Sequence, residues 1–373
     1  MIHLQRSVLA GLDASAPTPE GVQGALQSAI ELEHATIPPY LYALYSLDPS
    51  DKVGGVPTNN LISEIIQSVV VEEMLHMTLA SNVLNAIGGS PNIDQPGFIP
   101  TYPGPLPGGV ESELTVSLAP FSSDQLATFL TIESPENPLP IAAALAADAP
   151  LTIGQFYGQI ITAIRALGDG IFVKPPRNQV TPEVMYGSVV VTDVETAVRA
   201  LTVIVEQGEG TSTSPEEVDG GGDGDDASFG GEYAHYYRYM QIKRGKLLVP
   251  APGKTPPYAY AGNPVPVGNV YPVPTNPTAA GYSGAQALAN NNFNYTYTSL
   301  LSSLHDFFNG EATADQFYRA LGLMMSLKSQ AVGMMSGDTV QGVNVGPSFE
   351  YQPNNPEPPT TDASSHQPAT PAA

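Results

Sequence analysis

The sequence contains no cysteine. That absence excludes disulfides, thiol nucleophiles, zinc–thiolate sites and iron–sulfur clusters, so any metal must be held by histidine and carboxylate. Basic residues are scarce as well: 13 Lys and Arg stand against 36 Asp and Glu, a formal net charge of −23. A surface of that sign repels phosphate backbones and anionic headgroups, which argues against nucleic acid or membrane as a partner. No apolar run approaches the ~18 residues of a membrane span. The N-terminal MIHLQRSVLAGL carries an Arg within an apolar run too short for a secretion signal, so a cytoplasmic location is expected.

Glycine and proline are abundant, 36 and 37 of 373 residues. Both exceed ordinary usage, which implies long loops between regular elements. The length allows one large domain with insertions or two modest domains, and the expected division is a single domain over 1–351 followed by a Pro-rich tail, 352–373, too polar to build a core.

Apolar periodicity marks four helices. The first, 19–47, opens with Thr18 as N-cap and Pro19 at its first position, and follows the stripe Leu26, Ile30, Ile37, Leu41, Leu44. Pro38-Pro39 predicts a kink one turn after Glu33. The second, 61–87, follows Ile62, Ile66, Val69, Ala80, Val83, Ile87 and stops at Gly88-Gly89. Between 90 and 190 the pattern loses helical regularity: ELTVSLAPF and YGSVVVTD look like strands, and TIGQFYGQIITAIRAL like a lone helix. The third helix, 193–209, opens at a capping box Thr192-x-x-Glu195, and the fourth covers 231–244. A Pro-rich wrap (250–278) and a helical hairpin over 284–335, turning at Asn309-Gly310, complete the chain. The fold class is therefore mainly α, a four-helix bundle with a long decorated crossover between its second and third helices and a C-terminal helical hairpin.

All four helices place charge where periodicity demands core. Glu33 aligns with Leu26, Ile30 and Ile37; Glu73 and His76 continue the stripe of the second helix; Glu232 and His235 repeat that Glu-x-x-His spacing on the fourth. On the third helix Glu209 follows Val205 by four residues, with Glu206 as the substitute. Residues at i and i+3 share a helix face, so each Glu-x-x-His pair can present an oxygen and a nitrogen to one point. A glutamate from two helices and Glu-x-x-His from the other two is the ligand pattern of di-iron and di-manganese carboxylate bundles. Two divalent cations also cancel four buried carboxylates, which would otherwise be prohibitively costly.

Other features have plainer readings. Glu31 and His34 form a third Glu-x-x-His pair, but they align with Gln27 and are expected at the surface or behind a ligand, as is Glu72. The acidic loop 211–231 fails the EF-hand pattern. Tyr40, Tyr236 and Tyr239 are expected as packing residues with satisfied hydroxyls, His305 as a helix residue, and the Met-rich stretch near 323–335 as adaptable core.

The segments AIELEHATIPPYLYALYSL, VVVEEMLHMTLASNVLNAIGG, YPGPLP, IESPE, TIGQFY, EQGEG, EYAHYYRY and GPSFEY, in that order, resemble the ferritin-like domain family associated with iminophenyl-pyruvate dimer synthases of violacein- and rebeccamycin-type pathways. The resemblance implies a ferritin-like four-helix core and a natural-product role. In what such enzymes generally do, Glu73 and Glu232 would bridge two metal ions, His76 and His235 would bind one each, and Glu33 and Glu209 would close the ends. The expected activity is a non-haem di-iron oxidoreductase using O2 on a small organic substrate, with manganese or a mixed Fe/Mn pair as alternatives to two irons. A ferroxidase-type metal protein without organic substrate and an imine-dimer-synthase-like enzyme are the competing readings. A homo-oligomer is compatible with the sequence.

Overall fold

In the computed structural model, residues 12, 16–107, 114–135, 152–210, 214–216 and 233–354 are described. Thr18 begins helix α1 (Pro19–Ser46): its hydroxyl accepts from the Gly21 amide at 3.1 Å and Pro19 occupies the first turn. The helix continues through Pro38-Pro39. Proline at 39 cannot donate to the Ala35 carbonyl, and the Tyr102 hydroxyl donates to that oxygen instead, at 2.7 Å. A two-stranded ribbon, β1 (Lys52–Val53) and β2 (Val56–Pro57), turns through Gly54-Gly55, both with positive φ. Helix α2 (Asn60–Ala86) then returns along α1 and ends at Gly88, φ 84°.

The crossover differs from its expected form. It contains two α-helices among the described residues, α3 (Ser123–Ile132) and α4 (Ile153–Leu167), each started by a side-chain cap, Ser122 and Thr152. Neither apolar stretch read as a strand forms one; only an isolated bridge, Gly104 to Val116, survives. Side chains have taken the place of strand partners. Asn82 on α2 donates to the Val180 and Val189 carbonyls and accepts from the Val180 amide, each at 2.9 Å. The Val191 amide donates to Gln179, and the Leu118 and Phe121 amides to Asn276 and Ser46, all at 2.8 Å. Backbone groups satisfied in this way need no ladder.

Helix α5 (Val194–Glu209) starts one residue later than the capping box Thr192-x-x-Glu195 predicts. Its N-cap is Asp193, which accepts from the Thr196 amide at 2.9 Å while Thr196 accepts from the Asp193 amide at 3.2 Å. A carboxylate at this point also complements the helix dipole. Helix α6 (His235–Arg244) begins four residues inside its expected span and ends at Gly245 in the left-handed region. Part of the expected Pro-rich wrap is a hairpin, β3 (Lys246–Pro250) paired antiparallel with β4 (Tyr258–Pro264). Helices α7 (Gly284–Asn309) and α8 (Ala314–Ser336) pack on each other.

The fold is mainly helical. Helix α1 lies along α2 and α4 along α5; the pairs meet through α2–α5 and α1–α4, while α3 and α6 pack together against α1 and α2. No described helix is long and apolar enough to cross a membrane. The expectations for the acidic loop fall outside the described residues except at 214–216, and those for the tail except at 352–354.

Candidate metal centre

Five buried side chains from four elements converge: Glu33 on α1, Glu73 and His76 on α2, Glu133 at the C-terminal cap of α3, and His235 at the first position of α6. None is more than 4% exposed. Glu73 stands between the two imidazoles. Its Oε2 lies 3.7 Å from His76 Nδ1 and its Oε1 3.1 Å from His235 Nδ1. Each histidine also meets a carboxylate of its own, with Glu33 Oε2 3.3 Å from His76 Nδ1 and Glu133 Oε2 3.3 Å from His235 Nδ1. The rings stack with centroids 5.3 Å apart. The result is two three-residue sets, Glu33–Glu73–His76 and Glu73–Glu133–His235, in each of which ligand atoms fall within 4.8 Å of one another.

A second layer fixes the first. Tyr157 on α4 donates to Glu33, and Tyr40 on α1 donates to Glu133 at 2.5 Å. His76 Nε2 lies 3.0 Å from the Gln207 amide oxygen on α5, and His235 Nε2 lies 2.9 Å from Glu72. Glu72 is itself paired with the buried Arg238, whose other donors reach Ser68 and the Tyr233 carbonyl. Both imidazoles therefore turn Nδ1 inward and hold Nε2 on an acceptor, the arrangement by which outer partners orient metal-bound histidine.

Burial pushes the Glu33 carboxyl up to about 7, with His76 pulling it down and Glu73 adding repulsion. Burial would raise Glu73 too, but His235 and His76 on its two oxygens hold it well below the usual carboxylate range. Burial would depress both histidines, yet Glu33 and Glu73 lift His76 to about 10, and Glu133, Glu72 and Glu73 lift His235 well above its ordinary value. Without a metal, imidazolium ions supply the positive charge. The donor set fits divalent cations: imidazole nitrogen and carboxylate oxygen without sulfur suit iron, manganese or zinc, and each set leaves coordination positions open.

Of the residues expected from the sequence, Glu33, Glu73, His76 and His235 lie in this cluster. Glu232 and the Glu209 side chain are outside the described residues. Among the described side chains of α5, Gln207 reaches the cluster, while Glu206 is half-buried with a carboxyl raised by burial. Glu133 is absent from the expected set. Its signal is the one that marks Glu33, an acid in an apolar register: it follows Leu126 by seven residues and Phe129 by four on α3. The expected elements do not include that helix, and without it the register is not legible. His34 is buried rather than at the surface, with Nε2 2.6 Å from the Tyr297 hydroxyl and its ring beside Phe98.

A crystal structure of a ferritin-like protein from Caulobacter vibrioides has a similar fold, with a TM-score of 0.54 and 23% identity over 83% of this chain and 95% of that one. Dichlorochromopyrrolate synthase of Lentzea aerocolonigenes is 24% identical over 87% of this chain, which spans 35% of that enzyme's length. Residues 26–244, which contain all five residues of the cluster, match the family described as Ferritin-like, and the chain belongs to that family.

Proposed function

We propose that this protein is an oxidoreductase that uses a carboxylate-bridged pair of metal ions, iron with manganese or a mixed pair as alternatives, to oxidise a small organic substrate with dioxygen in natural-product biosynthesis. The observation that carries the reading is the position of Glu73, buried with one oxygen toward His76 and the other toward His235 while each histidine has its own terminal glutamate. When bound, the metal pair would supply the electrons and Lewis acidity that dioxygen reduction requires.

The chain's residues would have distinct tasks. Glu73 would serve both ions, with Glu33 and His76 completing one and Glu133 and His235 the other. Glu232, three residues before His235, stays in the proposal as a second bridging carboxylate, and Glu133 takes the terminal position expected of Glu209. The phenols of Tyr157 and Tyr40 hold the terminal carboxylates in a fixed orientation. Gln207 and Glu72 on the two Nε2 atoms leave the Nδ1 lone pairs facing inward. Burial of the five side chains limits water, which strengthens electrostatics inside the site. The similarity to dichlorochromopyrrolate synthase supports a biosynthetic setting and a small-molecule substrate.

The test is metal content per chain for the wild type and Glu73→Ala, with an optical spectrum after exposure to O2. Two ions falling to one or none in the variant is the expected result, because Glu73 faces both positions. An unchanged count would remove Glu73 from the site. Substrate-free O2 consumption that releases ferric iron would turn the reading toward metal handling.

A further inference from the structure

The two halves of the centre differ in their outer partners, Gln207 behind His76 and Glu72 behind His235, and also in their phenols. Each terminal glutamate receives one phenol, Tyr157 on Glu33 and Tyr40 on Glu133. The Glu133–His235 half has a second. Tyr239 follows His235 by one turn on α6 and so shares its face. Its ring packs against Tyr40, centroids 5.5 Å apart, and against Phe129, 5.4 Å apart, and Phe129 precedes Glu133 by one turn on α3. Tyr239 is fully buried, yet its hydroxyl has no hydrogen-bond partner among the described residues. Such a group keeps the cost of desolvation with nothing to offset it. Burial, and then the neighbouring Glu133 and Glu73 charges, raise its pKa well above the ordinary value, so the phenol keeps its proton and remains a donor.

The unpartnered atoms elsewhere do not offer the same. His34 Nδ1 is also without a partner, but its ring packs on Phe98 and Tyr297, outside the cluster. The Tyr157 hydroxyl of the other half is committed to Glu33.

We propose that the Tyr239 hydroxyl donates a hydrogen bond to a small exogenous ligand with an acceptor oxygen or nitrogen, and that the Glu133–His235 half is where this ligand sits. The assignment rests on the metal reading above. It makes the centre asymmetric, with a free phenol to receive an incoming molecule at one half and the corresponding phenol of the other half committed to Glu33.

The experiment compares the wild type, Tyr239→Phe and Tyr157→Phe by three measurements: metal per chain, azide titration of the Co(II)-loaded protein followed by its visible absorption, and melting of the metal-free protein. Tyr239→Phe is expected to keep its metal count, to bind azide about tenfold more weakly, the worth of one hydrogen bond, and to melt no lower than wild type when metal-free. Tyr157→Phe, which removes one hydrogen bond to Glu33 in the other half, is expected to lose less azide affinity than Tyr239→Phe. Azide affinity unchanged in Tyr239→Phe, an equal fall in Tyr157→Phe, or a lower metal-free melting temperature in Tyr239→Phe would each overturn the assignment. A wild type that takes up no cation would overturn the metal reading itself, and the metal count shows this before azide is added.

Discussion

The Gln207 amide oxygen lies 3.0 Å from His76 Nε2, which makes a neutral residue of α5 the outer partner of one imidazole while the anionic Glu72 serves the other. An amide oxygen only accepts, so Nε2 keeps its hydrogen and Nδ1, which faces Glu33 and Glu73, is the nitrogen that would give up its proton to a cation. Gln207→Leu removes that acceptor and should weaken metal binding about 10- to 100-fold with the fold retained. Chelator competition, with circular dichroism for the fold, measures both. Gln207→Glu restores an acceptor and should recover most of the affinity.

Glu133→Ala should lower the metal count from two toward one, because Glu133 faces the His235 position and not that of His76. Glu206→Gln, by contrast, should leave the count unchanged, since Glu206 is half-buried and outside both three-residue sets. Metal analysis of the two variants side by side separates the α3 carboxylate from those of α5. A drop in Glu206→Gln with none in Glu133→Ala would reverse the assignment.

With rising pH the metal-free protein should lose stability while the stabilisation conferred by metal grows. His76 is raised from 6.5 to about 10, so its stabilising contribution is complete below about 6.5 and is lost as pH rises through 10. Glu33, raised from 4.5 to about 7, also favours the folded form at low pH and gives this up between 4.5 and 7. Glu73 is depressed, so its contribution is lost as pH falls below about 4.5. The metal-free protein should therefore melt progressively lower from pH 6 to pH 10. Loading an ion displaces the Nδ1 protons, so the rise in melting temperature on adding Mn(II) or Zn(II) should grow over the same interval. Calorimetric scans with and without metal check the sign.

Asn82 binds three backbone groups of the crossover, the Val180 amide and carbonyl and the Val189 carbonyl. Asn82→Ala orphans them together. At about 1–3 kcal/mol for each buried group left unpaired, the expected loss is about 3 kcal/mol after local relaxation, read by urea unfolding. Hydrogen exchange at Val180 should accelerate well before global unfolding.

These relationships also show what the amino acids announce and what they conceal. Glu33, Glu73 and His76 could be picked out because α1 and α2 are long enough for a 3.6-residue period to expose an acid or imidazole on the apolar side. The general architecture follows from the same long periods. Glu133 was hidden because α3 has only ten residues, and its capping serine lies in a stretch that reads as irregular. The two apolar segments taken for strands mislead for a related reason. Their β-branched residues describe an extended chain correctly, but whether its partner is another strand or an asparagine on a distant helix is not written locally.

The position of Glu133 at the end of α3 has one further consequence. Residues 33, 73, 133 and 235 are widely separated along the chain, and the third of them belongs to the connection between the bundle's halves. No fragment that stops short of α6, and no nascent chain at that stage of synthesis, can assemble both coordination sets. Capture of the second ion thus waits for α6, and a stoichiometric pair of bound cations would certify that the end of α3 has docked.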